Sequence, residues 1–599
     1  MQSPLIDRRL LDFLLYEVLK VESLCESERF AEHSRATFDA TIELAHRLAV
    51  DKFLPHNRKS DANEPQMVDG KVVLIPEIGE AVAAYNEAGF STALEDFERG
   101  GMQLPFVIAS ACDLLFAGAN PGTVAYPSLA RAAANLLRAH GSEAQQRRYM
   151  DPIVQGRFFG TMCLSEPQAG SSLGDIRTTA VVMPDGSYRL RGAKMWISAG
   201  DHELGDNIVH LVLARIEGAP AGVRGISLFI VPRWRLDASG NPSERNDVRL
   251  AGLNHKLGQR GSVNTFLKFG EQDDCFGELI GQPNQGLAYM FHMMNEERIA
   301  VGMGAIANGL VGYLYSLQYA KERRQGRHPD QKDASSPPVP IIEHADVRRM
   351  LLRQKLLVEG ALALGLYASQ LVDAEHLAEI DARREINALL ELLTPIVKSW
   401  SSQYCLDAND LAIQILGGYG YTREYPVEQC WRDNRINPIH EGTNGIQALD
   451  LLGRKVMMHD GIALKVLLAK VHTSVAKAEV HASLHDVSAA LRAHFERVVG
   501  VVRQLGARMA SGDIRPALAH AQHVMHVLGH GVIAWMWLDM AHRATHGLES
   551  GAATDHGFYE ARVAAAKAFF ATELPSTEQA FRAIESDECA AYHFQAAWF

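Results

Sequence analysis

The chain has 599 residues, 47% of them hydrophobic and 22% charged, enough apolar material for several packed layers in a large globular protein of three or four domains. Its formal net charge is −12 and no run of Lys or Arg could follow a phosphate backbone, which argues against nucleic acid or an anionic membrane as partner. Nowhere do about 18 apolar residues run together without charge, so no membrane span is expected, and the seven cysteines form no C-x-x-C pair or metal-ligand spacing, so buried thiols, no metal and a reducing cytoplasm are expected.

In chain order, residues 10–19 are apolar but broken by Asp12 and Glu17, with no cleavage site after them, and read as a docking helix. From there to about 150, apolar residues recur at three- and four-residue intervals, predicting an all-α N-terminal domain over 1–155. Between 156 and 281 the texture changes to short alternating or β-branched runs, among them 188–191, 208–213 and 226–231, which predict a β-barrel or sandwich. A long helix is predicted from after Gly286 to about Arg324. Gly302, Gly304, Gly309 and Gly312 inside it each cost roughly 1 kcal/mol against Ala, which suggests close approach by a helix or ligand. Pro329, Pro337, Pro338 and Pro340 then force a loop. Helices over about 346–371 and 385–416 complete a bundle within 282–456, and helical texture over 457–599 predicts a further domain packed on the others. The expected fold class is therefore α+β and multidomain: an N-terminal α-helical domain, a central β-barrel domain, a helical bundle and an extra C-terminal helical domain.

Three segments carry chemistry. The first, Met162-Cys-Leu-Ser-Glu-Pro-Gln-Ala-Gly-Ser-Ser172, is a strand followed by a Ser- and Gly-rich turn. Within it Gly170-Ser-Ser-Leu-Gly174 matches the G-x-S-x-G elbow of hydrolases, but that elbow needs a helix directly after the serine, whereas 176–183 reads as a strand. The second segment is Gly192-Ala-Lys-Met-Trp-Ile-Ser198. The third is Gln414-Ile-Leu-Gly-Gly-Tyr-Gly-Tyr-Thr-Arg-Glu-Tyr-Pro426, then Arg432-Asp433, then His440-Glu-Gly-Thr-Asn-Gly-Ile-Gln447. Arg423 stands where G-x-G-x-x-G needs its third glycine, so a dinucleotide fingerprint fails.

In order, spacing and residue type these segments resemble the acyl-CoA dehydrogenase family, over about residues 10–455. The resemblance implies FAD-dependent conversion of an acyl-CoA thioester to a trans-2-enoyl-CoA. It assigns Cys163, Leu164 and Ser165 to the flavin, Gly170 and Ser171 to close backbone approach, Trp196 to the ring face and Ser198 to N5. It assigns Gln414, Gly418 and Arg323 to the cofactor of a neighbouring subunit, Thr443 to the cofactor of its own, and Gly417 and Gln325 to cofactor binding. Ser171, Arg298 and Gly442 are assigned to substrate, although pairing of Arg298 with a Glu inside the bundle is an equally good account. Glu441 is assigned as the base. A thioester α-proton is too weakly acidic for a solvated carboxylate, so the base must be desolvated and the developing enolate hydrogen-bonded, in this family by a ribityl hydroxyl and the base's own backbone N–H. Gly445 stands where many members have Gln, the usual Phe is missing after Arg323-Arg-Gln, and His440 replaces an aromatic residue, where it either tunes Glu441 or fills space.

The C-terminal extension resembles the branch that includes 3-methylmercaptopropionyl-CoA and fatty-acyl-CoA dehydrogenases, which leaves both substrate types open. The implied partners are an electron-transferring flavoprotein and a second copy in a homodimer. His520, His523, His526 and His530 read as a polar helix face rather than a metal site. An acyl-CoA oxidase on the same scaffold is an alternative that oxygen access, not sequence, would separate. A DNA-binding flavoprotein relative fits poorly, since residues 456–599 carry 12 Lys and Arg against 14 Asp and Glu.

Overall fold

The computed structural model describes residues 4–599 except 293, 332, 334, 552–554 and 587–588. It divides into two compact units: one of 38–104 and 115–297, the other of residues up to Thr37, Pro105–Leu114 and Arg298–Phe599.

The first unit is built on β3 (Phe158–Cys163), β4 (Thr179–Val182), β5 (Tyr188–Ser198), β6 (Asn207–Ile216), β7 (Ile226–Pro232), β10 (Val248–Leu253), β11 (Asn264–Phe269) and β12 (Phe276–Leu279), with a small β8 (Trp234–Leu236) and β9 (Pro242–Arg245) pair beside them. The strand order is β10-β11-β5-β12-β7-β6-β3. Because β4 pairs with both β5 and β6, the strands β5, β12, β7, β6 and β4 close a ring, which is the expected barrel. β7 and most of β6 are buried on both faces, which is why they read as continuous apolar runs. The helix α1 (Pro121–His140) lies so close to β3 that a Cβ at Gly160 would strike Ala133. One element departs from an all-helical N-terminal region: β1 (Gln66–Val68) and β2 (Lys71–Val73) form a hairpin. Its turn, Asp69-Gly70, has both residues at positive φ, the usual chemistry of a tight hairpin.

The second unit is helical. Its long helices are α2 (Met294–Glu322), which enters it at Arg298, α3 (Ala345–Leu377) and α4 (Ile380–Leu416), the last two each longer than the sequence pattern indicated. The glycines of α2 explain themselves against α4. A Cβ on Gly302 would lie 2.7 Å from the Val397 carbonyl, one on Gly309 would lie 2.9 Å from Cys405 Cβ, and one on Gly312 would strike the Asn409 amide. Gly304 is different, with nothing within 4 Å. Residues 295–322 and α3 are long and apolar enough to cross a bilayer, but 78% and 89% of their most apolar windows are buried inside the protein, as in core helices.

The C-terminal helices α6 (Met458–Ala478), α7 (His485–Ala510), α8 (Ala521–Glu549) and α9 (His556–Thr572) belong to this same unit. The apolar face of α8, with Val524, Val527, Leu528, Val532, Ile533 and Trp537, is fully buried. The Trp537 indole N–H donates to the Leu356 carbonyl at 3.1 Å, and Arg562 donates to Glu359 at 2.6 Å with both side chains buried. The N-terminal docking segment lands here as well, with Leu10, Leu11, Phe13, Leu14 and Leu15 buried and Phe13 edge-on to Phe558 and Tyr559. Residues 105–114 join the unit where Asp373 accepts the backbone N–H groups of Phe106 and Val107. All seven cysteines are free, and all but Cys25 are buried.

The contrast among the α2 glycines is testable by thermal unfolding. Gly302→Val, which drives a methyl into a backbone carbonyl, should lower stability by about 1–3 kcal/mol, whereas Gly304→Ala should raise it by roughly 1 kcal/mol through helix propensity.

Candidate active site

In the β unit, the chain leaves β3 through Leu164 and Ser165 into a turn that a buried ion pair ties to β5. Lys194 Nζ donates to the Leu164 carbonyl and to Glu166 Oε1, both at 2.9 Å, and the backbone N–H of Met195 donates to the Ser165 carbonyl at 3.0 Å. Glu166 also accepts from the backbone N–H groups of Arg177 and Thr178 and from the Thr178 hydroxyl. Burial pushes its carboxyl pKa up, but Lys194 and these donors outweigh burial and leave it at about 2. Around the expected cofactor residues Cys163, Leu164, Ser165, Gly170 and Ser171 this pair has no signal in the sequence, because a lysine in an alternating strand looks solvent-facing; Lys194 is fully buried. Open space faces the Gly170 backbone, where a Cβ would meet nothing within 4 Å.

Trp196 sits in a bulge. Opposite β11 the register shifts between the pairs Thr265–Ile197 and Leu267–Lys194, so Met195 and Trp196 face Phe266 alone. Trp196 takes φ +66°, rare for a bulky residue, and its ring is 62% exposed. A large flat apolar face is thus turned out of the sheet, the kind of surface on which an isoalloxazine stacks. Two residues on, Ser198 accepts a hydrogen bond from the Asn264 side chain at 3.2 Å. The hydrolase alternative finds no support at the neighbouring turn: Ser172 is hydrogen-bonded to Asp175, and a three-residue turn followed by β4 replaces the required helix.

In the helical unit, Glu441 lies on the turn before α5 (Asn444–Asp450), whose first turn is capped by the Thr443 hydroxyl accepting from the Ile446 N–H at 3.3 Å. Glu441 and Gly442 both have left-handed backbones, φ +51° and +85°. A ladder of buried amides supports the loop: Asn409 Nδ2 donates to the Asn308 carbonyl, Asn434 to Asn409, and Asn437 to Asn434, while His440 Nε2 meets Asn437 Oδ1 at 3.0 Å. Burial and the nearby Lys398 charge hold the His440 pKa at about 3, so its ring is neutral. Gln447 donates to the Glu441 carbonyl at 3.0 Å and Lys398 to the Gly442 carbonyl at 2.6 Å. Among the described residues nothing hydrogen-bonds the Glu441 carboxylate, and its backbone N–H has no acceptor. Burial raises its pKa, opposed by the charges of Lys398 and Arg298. Arg298 is paired inside the bundle at 2.9 Å, with the aspartate Asp450 rather than the expected glutamate.

At the end of α2, Arg323 donates to Gln325 at 2.8 Å and lies 5.7 Å over the Tyr419 ring. Tyr419 belongs to the turn that follows α4, where Gly417 takes φ +61° and neither Gly417 nor Gly418 has an atom within 4 Å of an added Cβ. Gln414 is exposed on the last turn of α4. His520, just before α8, and His523, His526 and His530 within it form a partly buried polar face. His520 and His530 are buried, the Trp400 indole donates to His530 at 3.2 Å, and Tyr404 shares a hydrogen bond with His526 at 2.6 Å. Among the described residues no three His, Cys, Asp or Glu side chains are grouped as metal ligands.

The Glu166–Lys194 pair yields a prediction. Glu166→Gln should leave Lys194 buried and uncompensated, costing about 3–5 kcal/mol. Since the carboxyl pKa falls on folding, its contribution in the intact protein is present above the ordinary carboxylate range and should be lost as pH drops towards about 2. Denaturant titrations of both proteins across the acid range, with the variant showing the smaller acid dependence, check this.

Residues 161–269 match the family described as "Acyl-CoA dehydrogenase, middle domain", 284–457 that described as "Acyl-CoA dehydrogenase, C-terminal domain", and 467–595 that described as "Acetyl-CoA dehydrogenase C-terminal like". The chain is 41% identical to the 3-methylmercaptopropionyl-CoA dehydrogenase of Ruegeria pomeroyi over 70% of its length and 71% of the relative's. It is 34% identical to the broad-specificity linear acyl-CoA dehydrogenase FadE5 of Mycobacterium tuberculosis, over 96% and 97%. Its fold resembles that of Caenorhabditis elegans ACDH-11 in complex with C11-CoA, with a TM-score of 0.75 and 18% identity, covering 97% of this chain and 94% of that one. Family matches along most of the chain, a relative aligned over nearly its whole length and the shared fold agree: the chain belongs to the acyl-CoA dehydrogenase family of flavin-dependent oxidoreductases.

Proposed function

We propose that this enzyme converts acyl-CoA thioesters to trans-2-enoyl-CoA with Glu441 as the base that removes the α-proton and FAD as cofactor. The observation that carries the reading is the state of Glu441: desolvated, unbonded at its carboxylate among the described residues, and held in a left-handed turn. A carboxylate stripped of hydrogen bonds is a stronger base than one in water, which α-proton removal requires. The undonated N–H of Glu441 suits the thioester oxygen as negative charge develops there. Bound FAD supplies the acceptor for the β-hydride.

We assign Cys163, Leu164, Ser165 and Ser198 to the flavin, Trp196 to its ring face, and Gly170 and Ser171 to close backbone approach. Ser171 and Gly442 are assigned to the substrate. Arg298, already paired with Asp450, is assigned to the charge around Glu441 instead. Thr443 serves the cofactor of its own subunit, and Arg323, Gln325, Gln414, Gly417 and Gly418 that of a neighbour, so the active form is a homodimer. The names of the two relatives support a linear fatty-acyl-CoA or 3-(methylthio)propanoyl-CoA as substrate. An electron-transferring flavoprotein is the proposed acceptor, and the buried free thiols fit a reducing cytoplasm.

Glu441→Gln should retain FAD and bind acyl-CoA but slow substrate-dependent bleaching of the flavin on the order of 10³-fold or more, read by stopped-flow absorbance. Near-normal bleaching would move the base elsewhere.

Arg323→Ala should weaken both FAD retention and subunit association. Sedimentation and the flavin-to-protein absorbance ratio measure both, and a fully loaded dimer would remove Arg323 from the neighbour's site.

A further inference from the structure

Lys398 sits in the middle of α4 with no exposed surface, and among the described residues its only hydrogen-bond acceptor is the Gly442 carbonyl, at 2.6 Å. No carboxylate lies within salt-bridge distance of it among those residues, unlike the buried Lys194, which has Glu166, or the buried Lys455, which has Glu391. A buried ammonium without a carboxylate partner is costly. The charged and titratable groups that face it are Glu441 on the turn, Arg298 on α2, itself paired with Asp450 of α5, and the neutral His440.

The acceptor that Lys398 takes is informative. It is the carbonyl that follows two successive left-handed residues, Glu441 and Gly442, while Gln447 holds the carbonyl before it. A non-glycine residue in this conformation persists only when its surroundings over-determine it. With the Glu441 and Gly442 carbonyls both held, the backbone from which the Glu441 side chain projects is fixed.

We infer that Lys398 is a positioning residue for the base: its Nζ fixes the Glu441–Gly442 turn through the Gly442 carbonyl, and its charge keeps the carboxylate ionised without bonding to it. The inference rests on the reading of Glu441 as the base. Physically, it resolves a conflict. Desolvation makes Glu441 a stronger base but also favours its protonation before substrate arrives, and a nearby cation that spends its hydrogen bond elsewhere offsets the second effect without capping the oxygen atoms. Burial lowers the lysine pKa, Glu441 raises it and Arg298 lowers it, to about 8, so the cation persists at neutral pH.

The test uses FAD-loaded Lys398→Met, Lys398→Gln and Lys398→Arg, with flavin bleaching by saturating and limiting acyl-CoA followed against pH. The two neutral variants should retain FAD and a KM within about twofold of wild type, but lose roughly tenfold or more in kcat near neutrality. Their acid limb should move up by about one pH unit, because Glu441 then protonates more easily. Lys398→Arg, which keeps the charge, should keep the wild-type midpoint. Neutral variants with the wild-type acid limb overturn the inference, and so does failure of both to fold with FAD, since that makes the lysine structural. Glu441→Gln, measured alongside, separates the two readings. If it bleaches normally, the base is elsewhere; if it is inactive while the neutral lysine variants keep the wild-type limb, only the role of Lys398 fails.

Discussion

A carboxylate that must take a proton from carbon has to be kept out of water, and water is what keeps a carboxylate ionised. Around Glu441, the proposed base, this conflict is met by two buried cations that are each occupied elsewhere, Arg298 by Asp450 and Lys398 by the Gly442 carbonyl. Had either bonded directly to Glu441, it would have stabilised the anion as a salt bridge and spent the basicity that burial creates. Acting through space, they oppose the burial-induced rise in its pKa and, among the described residues, leave both oxygen atoms unbonded.

The same economy governs the backbone. Strain of about 1–3 kcal/mol is expected for a bulky residue at positive φ, and it occurs at Trp196 and Glu441, one in each compact unit. Each is held by something rigid and buried. Trp196 follows directly on Lys194 and Met195, through which the Lys194–Glu166 pair and the Met195–Ser165 hydrogen bond tie β5 to the preceding turn. Glu441 follows the amide ladder from Asn409 to His440. Neutral amides suit the second place: a ladder of charges there would shift the pKa of Glu441, whereas amides supply direction without charge.

This division also explains what could be read from the sequence. The barrel strands and long helices were legible because burial imprints a period on the chain, and the family was legible from the Trp196 and Glu441 segments because a specific chemistry constrains neighbouring residues together. Lys194 and Lys398 were not, since a lysine within a regular pattern looks like a solvated one until its neighbours are known, and the asparagines of the ladder are far apart in sequence with no spacing to link them. The histidines at 520, 523, 526 and 530 are a related case. Periodicity identifies a polar stripe, but here Trp400 and Tyr404 offer polar atoms to it, so the stripe is a packed contact and not a solvated face. The β1–β2 hairpin was signalled by Asp69-Gly70, a local cue outweighed by the helical periodicity on either side.

Those contacts bear on why the extension exists at all. In an α-helix a step of two residues turns about 200°, so Lys398 and Trp400 point to opposite sides of α4. Lys398 holds the Gly442 carbonyl, whereas Trp400 packs against α8, where a Cβ on Gly529 would lie 2.6 Å from its ring and where its indole donates to His530. One short stretch of α4 is thus braced on one side by the turn that carries Glu441 and on the other by the C-terminal helices. The neighbouring α3 is braced in the same way, through the Glu359 carboxylate shared by Lys355 and Arg562 and through Trp537 on the Leu356 carbonyl. An extension joined by such buried polar bonds packs as part of the helical unit rather than as an appended module, behind the stretch of α4 that carries Lys398.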